Sequence, residues 1–401
     1  MKFAHLADCH VGSWRDPKLN NISTQAFQKA IDLCIKKKVD FILIAGDLFN
    51  TSVPGIDKLK DITKKLKEVK DQNIPIYLIA GSHDFSPSGK TMLDVLENAG
   101  LCTNVTKGTV EDNILKLKFT IDKKTNVKIT GLLGKRGGLE KNYYEELEKE
   151  NLENEDGFKI FMFHSLLTEL KPKDLEKSDS QPLSFLPKNF NYYAGGHPHF
   201  IFNKTEQNYG LIAYPGPLFP NNFSELEKLE NGGFYIYEDG KLTWEPIRVY
   251  NTHSIKLDCS HKTPDQIDKE LLSEIKGKEF INTIITIRLF GTLETGRPSD
   301  INFRDIIQKL YDKGAYFIMK NTNALQSKDF EEIKIDASTV DDVEKRIIDE
   351  HLTNNITDEK KITNDLIRIL SICKDEGEKV ADFEKRIKEE VGKILRLPVN
   401  L

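Results

Sequence analysis

Along the first 250 residues, short unbroken apolar runs alternate with stretches in which apolar residues recur every three or four positions. Residues 41–45 (Phe-Ile-Leu-Ile-Ala) and 74–80 are continuous apolar runs of strand length, the pattern of strands covered on both faces. Residues 2–7, 158–163 and 192–196 are similar runs. Between the early ones, Phe27, Ile31, Cys34 and Ile35 share one helical face, and Ile56, Leu59, Ile62, Leu66 and Val69 share another. Further on, 114–121 and 127–132 predict strands, 139–151 a charged helix, and 234–246 a hairpin turning at Asp239-Gly240, a favoured two-residue turn. The alternation predicts an α/β fold.

The rhythm changes near Tyr250–Asn251. From 251 to about 330 the chain reads helix (265–276), strand (283–290), helix (303–313), strand (316–320), the pattern of a small α+β domain. Residues 331–401 predict a charged helical tail with three amphipathic segments. In the last of them Val380, Phe383, Ile387, Val391 and Ile394 recur at helical spacing. The expected domains are therefore 1–250, 251–330 and 331–401.

Charge refines this picture. The chain carries a net charge of −5 over 401 residues, but 331–401 alone hold 18 acidic and 13 basic residues, which leaves 1–330 balanced. Overall acidity therefore does not exclude a nucleic-acid partner, because bound cations would tilt the first 330 residues positive. No apolar run reaches membrane length, so no membrane partner is expected. The start is too short and polar for a signal-peptide core, and Cys9, Cys34, Cys102, Cys259 and Cys373 form no CxxC pair; both features predict a protein of the reducing cytoplasm.

The candidate chemistry sits where the apolar runs end. Asp8 and His10 follow the first run, Asp47 follows 41–46, and His83 follows 74–81. His164 closes 158–163, and His197 and His199 follow 192–196. Strands of an α/β sheet gather their carboxyl ends on one edge, so these residues are expected to converge there. Alternation along a strand predicts that Asp8 and His10 point to one side and Cys9 to the other. A Gly-Asp pair or an Asp-x-His is by itself common at turns. Imidazoles and carboxylates ordered this way at successive strand ends instead point to two divalent cations and phosphate-ester hydrolysis. His5, His253, His261 and His351 stand apart and are assigned to structure or surface.

Asp8-x-His10, Gly46-Asp47, Gly81-Ser82-His83-Asp84, His164 and Gly196-His197-x-His199 resemble the ordered motifs of the calcineurin-like metallophosphoesterase family. Phe3-x-His5-x-Ala7-Asp8 and Gly46-Asp47-Leu48-Phe49-Asn50 resemble, within it, the double-strand-break repair nucleases. So does the stretch running from Glu376 to Glu384, which is similar to their segment that binds an SMC-like ATPase. The resemblance implies a two-sheet α/β sandwich with a small α+β, DNA-binding capping domain and a helical tail. It implies two divalent ions, Mn2+, the first held by Asp8, His10, Asp47 and His199. The second would be held by Asp47, His164, His197 and Ser82, with Asp47 bridging. His83 would act on the transition state or leaving oxygen, and Asp84 would fix its tautomer. The partners implied are DNA, an SMC-like coiled-coil ATPase of the Rad-fifty type, and a second copy of the chain.

Two details separate this chain from parts of the family. Phosphoprotein phosphatases place an arginine after the Gly-Asp motif to clamp a monoester; Leu48-Phe49-Asn50-Thr51 has none, which favours a diester substrate. The family usually has Asn where this chain has Ser82, so the second ion is expected to bind more weakly. The rival readings are a small-molecule phosphodiesterase of the same fold and a nuclease-weak scaffold. Lys135-Arg136-Gly137-Gly138 is either a phosphate-binding loop or a solvated basic turn.

Overall fold

The structure is a computed structural model that describes residues 1–86, 91–328, 359–372, 374 and 380–395. Residues 1–327 form one compact unit and 328–401 a second. The first unit is built on two six-stranded sheets. One runs in the order Lys241–Ile247, Gly232–Glu238, Lys2–Leu6, Phe41–Ala45, Ile76–Ile79, Thr103–Asn104. The other runs Ile201–Glu206, Gly210–Pro215, Tyr192–Gly196, Lys159–His164, Lys128–Gly131, Thr120–Ile121. Each has four adjacent parallel strands. In the first sheet antiparallel pairing lies on one side only, at Gly232–Glu238 and Lys241–Ile247, and Thr103–Asn104 is a parallel edge, whereas in the second sheet both edge strands are antiparallel.

Period-two alternation sorts the buried residues into layers. Phe41, Leu43 and Ala45 face Ile160, Met162, Tyr192 and Ala194 between the sheets. Ile42 and Ile44 face outward onto the helices Pro17–Lys36 and Ile56–Asp71, and Phe161, Phe163 and Tyr193 face outward on the second sheet. The helix Pro17–Lys36 buries Phe27, Ile31 and Cys34. Ile56–Asp71 buries Ile62, Leu66 and Val69, but Ile56 itself is 85% exposed. The central strands Phe41–Ala45, Ile76–Ile79, Lys159–His164 and Tyr192–Gly196 are therefore covered on both sides, as their apolar runs required, while edge strands such as Ile201–Glu206 are largely exposed.

Two expected elements are divided. The 114–121 run becomes Ile114–Leu117, paired with Gly108–Glu111, and Thr120–Ile121 on the edge of the second sheet. The 139–151 helix breaks into Lys141–Glu145 and Glu150–Glu153. Between them the 146–148 backbone bonds to Leu115 instead (Leu115 N to Glu146 O, 2.8 Å; Glu148 N to Leu115 O, 2.9 Å).

Beyond residue 250, Asn251–Asp258, Thr283–Leu293 and Ala315–Ser327 form a parallel three-stranded sheet with crossover helices Pro264–Ile275 and Phe303–Asp312. These elements share their own core around Ile267, Leu271, Ile287 and Leu310. The sheet rests on the two-sheet body, where Tyr250 and Tyr316 stack with ring centroids 3.8 Å apart and the Tyr316 hydroxyl donates to the Lys18 carbonyl.

In the second unit, Glu359–Leu370 and Val380–Leu395 are helices. Residues 331–358, and 376–379 of the segment that resembles the ATPase-binding one, lie outside the described residues. Among the described residues no helix is long and apolar enough to cross a membrane.

Candidate metal centre

The two sheets bring their parallel carboxyl ends together at one place, so the cluster straddles both sheets. From the first come Asp8, His10, Asp47, Ser82 and His83; from the second, His164, His197 and His199. The sheets touch under the cluster. His164 Nδ1 donates to the Ala45 carbonyl at 2.8 Å across the gap. A Cβ on Gly196 would stand 2.1 Å from that same oxygen, and one on Gly46 would stand 2.1 Å from the His164 ring. Glycine at these positions is what lets the sheets close over the site.

The strand Lys2–Leu6 ends before Asp8, so pleat alternation does not aim the first pair of side chains. Asp8 (φ 49°) and His10 (φ 40°) lie in left-handed turns, as do Asp47 (φ 51°), His197 (φ 99°) and His199 (φ 50°). The turns are pinned by Asp8 N to Gly46 O (3.2 Å), His10 N to Asp47 O (2.9 Å) and Val11 N to Leu48 O (3.0 Å). Left-handed backbone at five non-glycine residues is strain that the surrounding bonds must hold in place. Cys9 is buried on the helix side, away from the cluster.

Candidate ligand atoms gather in three overlapping trios: Asp8, His10 and His199; His10, Asp47 and His83; Asp8, Asp47 and His164. Within each trio they lie no more than 4.8 Å apart. His10 Nε2 and His199 Nε2 face one another at 3.0 Å. Asp47 Oδ2 is 3.2 Å from His164 Nε2 and 3.6 Å from His10 Nε2, which makes it the shared carboxylate. The Ser82 hydroxyl donates to the same Oδ2 at 3.3 Å, and the His83 N–H donates to Oδ1 at 2.7 Å. His197 lies outside the trios: its backbone N–H bonds both oxygens of Asp8, and its exposed ring sits edge-on to His164.

Burial raises the Asp8 carboxyl above its ordinary range. At Asp47 burial pushes the same way, but the charge and hydrogen bond of His164 outweigh it and hold the carboxyl low. His164 in turn is driven up to about 10, against the burial penalty, chiefly by Asp47. His10 is pushed well below its usual value by burial and by His199. Without a cation the cluster thus keeps Asp47 ionised by holding a proton on His164. The buried His164 Nε2 faces Asp47 Oδ2 at 3.2 Å, and His10 and His199 present nitrogens to each other. Two carboxylates and several imidazoles aimed at one space fit divalent cations of the Mn, Fe or Zn type.

Asp84 does something other than orient His83. Its carboxylate accepts N–H bonds from Leu48 (3.1 Å), Phe49 (3.0 Å) and Gly81 (3.1 Å), which ties the 46–49 turn to the 81–84 turn. The His83 ring is fixed instead by the Asn50 carbonyl, 2.9 Å from Nδ1. The reason is reach: a buried Asp84 sits under three converging backbone donors, while Asn50 turns its carbonyl to the ring. Sequence reasoning also missed Glu225, whose carboxylate stands 3.0 Å from His199 Nδ1. Its one signal was Asn222-x-x-Glu225, a helix-start pattern, and the Asn222 side chain does accept from the Glu225 N–H.

The cluster opens into a cleft of about 1020 Å³, lined among others by His83, His197, Lys135, Arg136, Gly137, Gly138 and Lys177. Arg136 Nε donates to the Ser82 carbonyl at 3.3 Å, and Lys135 Nζ bonds the Tyr143 hydroxyl at 2.8 Å. The basic 135–138 turn is therefore a wall of the cleft.

Residues 1–200 match the profile described as calcineurin-like phosphoesterase. A Methanococcus maripaludis protein described as DNA double-strand break repair protein Mre11 is 27% identical over 325 residues, covering 78% of this chain and 79% of its own length. Proteins of the same description from Methanocaldococcus jannaschii (27% identical; 69% of this chain, 73% of theirs) and Sulfurisphaera tokodaii (25% identical; 98% and 96%) also align. Through its first 200 residues, and alongside these Mre11 relatives, the chain belongs to the calcineurin-like phosphoesterase family.

Proposed function

We propose that this protein is a Mn-dependent nuclease that hydrolyses DNA phosphodiesters in double-strand break repair. The observation that carries the reading is Asp47 Oδ2, within 3.6 Å of both His10 Nε2 and His164 Nε2 and flanked by Asp8 and His199. In this reading Asp8, His10, Asp47 and His199 hold a first ion, and Asp47, His164, His197 and Ser82 hold a second. When bound, the ions supply Lewis-acid polarisation of the phosphoryl group and a water acidified to near-neutral pKa. The protein's own part is placement. His83, with Nδ1 occupied by the Asn50 carbonyl, turns Nε2 to substrate as the group that stabilises the leaving oxygen. Lys135, Arg136 and Lys177 put positive charge on the wall of the cleft, where flanking phosphates of a strand would lie.

The relatives' description supports DNA repair as the setting. The exposed Val53, Ile56 and Val95, at and beside the Ile56–Asp71 and Met92–Asn98 helices, support a homodimer through that face. The 251–327 module would cap the DNA. The amphipathic tail helices would dock an SMC-like coiled-coil ATPase of the Rad-fifty type. Four buried, free cysteines suit a reducing compartment such as the cytoplasm. The test is cleavage of end-labelled duplex and single-stranded DNA with Mn2+, Mg2+ or chelator, by the wild-type protein and by His83→Ala. Expected is Mn-dependent cleavage that His83→Ala loses. Hydrolysis of a small diester with DNA left intact would instead support the small-molecule reading.

A further inference from the structure

The helix Phe223–Leu229 carries two carboxylates that face opposite ways, because residues two apart are about 200° apart around a helix. On one side Glu225 meets the His199 ring: Oε1 lies 3.0 Å from Nδ1, and Oε2 accepts the Asn221 N–H at 2.7 Å. On the other side Glu227, whose side chain is only 5% exposed, is gripped by Arg288 from the strand Thr283–Leu293. Arg288 Nε lies 3.0 and 2.9 Å from the two Glu227 oxygens and Nη2 lies 2.7 Å from one of them. The same guanidinium reaches Ser224 Oγ at 3.3 Å and lies 5.0 Å over the Phe223 ring. Past the end of the helix, the Thr252 hydroxyl donates to the Glu230 carbonyl at 2.7 Å. The three-stranded sheet contributes no residue to the ligand trios, yet it holds both ends of the helix that holds His199.

His199 also differs from its neighbours in its partner. His164 and His83 set Nδ1 against backbone carbonyls (Ala45 and Asn50), whereas His199 sets Nδ1 against a carboxylate. A carboxylate there keeps the proton on Nδ1, turns the Nε2 lone pair toward His10 and Asp8, and makes that nitrogen a stronger ligand.

We propose that Glu225 is the positioning residue of the first cation site, and that Arg288, through Glu227, keeps Glu225 in register with His199. The module beyond residue 250 then sets the cation affinity of a site in which it places no ligand. This rests on the two-ion reading above.

The test is calorimetric titration of the full chain with Mn2+, together with 15N NMR of the His199 ring in cation-free protein at alkaline pH. Glu225→Ala should weaken the first site roughly 10–100-fold and leave the second within about twofold. Glu225→Gln, which keeps an acceptor, should fall between that variant and wild type. Arg288→Ala, whose side chain touches no ligand, should weaken the same site roughly threefold to tenfold. The ring should hold its proton on Nδ1 in wild type and Glu225→Gln, and divide it between the two nitrogens in Glu225→Ala. Four results would overturn the proposal: unchanged first-site affinity in Glu225→Ala, equal loss at both sites, an unchanged tautomer, or Glu225→Gln no better than Glu225→Ala. A wild-type protein that takes up no Mn2+ removes the two-ion reading as well, whereas normal wild-type uptake with an unaffected Glu225→Ala removes the positioning role alone.

Discussion

Replacing Asp84 by alanine separates two roles for that residue, because one is structural and the other catalytic. In the structure the Asp84 carboxylate accepts three N–H bonds, from Leu48, Phe49 and Gly81, while the His83 ring has its Nδ1 on the Asn50 carbonyl. All three donors belong to buried residues. An orphaned buried donor costs about 1–3 kcal/mol, and a water entering the vacated space would satisfy one or two of the three, so the one or two left orphaned should cost about 1–6 kcal/mol. For a unit spanning Met1–Ser327, an unfolding entropy of about 2.1 cal/mol/K per residue sums to about 0.7 kcal/mol/K, so a loss of 4 kcal/mol lowers Tm by about 6 °C. Thermal unfolding should be followed in chelator, so that cation binding does not add to the difference. Cation affinity should fall too, since the 46–49 turn that carries Asp47 loses its tie to the 81–84 turn. An Asp84→Ala protein with wild-type Tm and cation affinity, slowed only in turnover, would refute this reasoning and return Asp84 to a role on His83.

Three other outcomes follow from the same geometry. Asp47→Ala, which removes the shared carboxylate, should abolish cleavage and reduce Mn2+ binding at both sites, while His83→Ala should bind Mn2+ and DNA normally and lose most turnover; calorimetry beside single-turnover cleavage checks both. His164, driven up to about 10 by Asp47, is protonated in the cation-free protein at any lower pH, so binding of the second ion should release a proton and tighten as pH rises; titration in buffers of different ionisation enthalpy that shows no proton release would contradict this. Ser82→Asn should tighten the second ion and lower the Mn2+ needed for half-maximal cleavage, and two equal sites unchanged by the substitution would rule out the idea that Ser82 weakens it.

Much of this was legible because strand ends and chemistry coincide. Unbroken apolar runs mark strands covered on both faces, and Asp8, His10, Asp47 and His164 stand where those runs stop, so their convergence follows from the sheet. The aim of the side chains was not legible. Left-handed turns at Asp8 and His10 depend on backbone bonds to a distant turn, such as His10 N to Asp47 O, and the one at His197 has its N–H bonded to the Asp8 carboxylate; no local pattern specifies these partners. Glu225 was missed for a similar reason: its cap pattern predicts a helix start, while its contact with His199 bridges 26 positions. The strand Asn251–Asp258 escaped notice because only Ile255 on it is buried, so it shows neither a continuous run nor a clean alternation. The break in the 139–151 helix is likewise tertiary, set by the bridge between Leu115 and Leu147.

The most direct test of the central claim is anomalous diffraction at the manganese edge from crystals of the full chain equilibrated with Mn2+. Two peaks are expected, one on either side of the Asp47 carboxylate. One should be in contact with Asp8, His10 and His199, and the other in contact with His164, His197 and the Ser82 position. A single peak, or peaks that do not share Asp47, would contradict it.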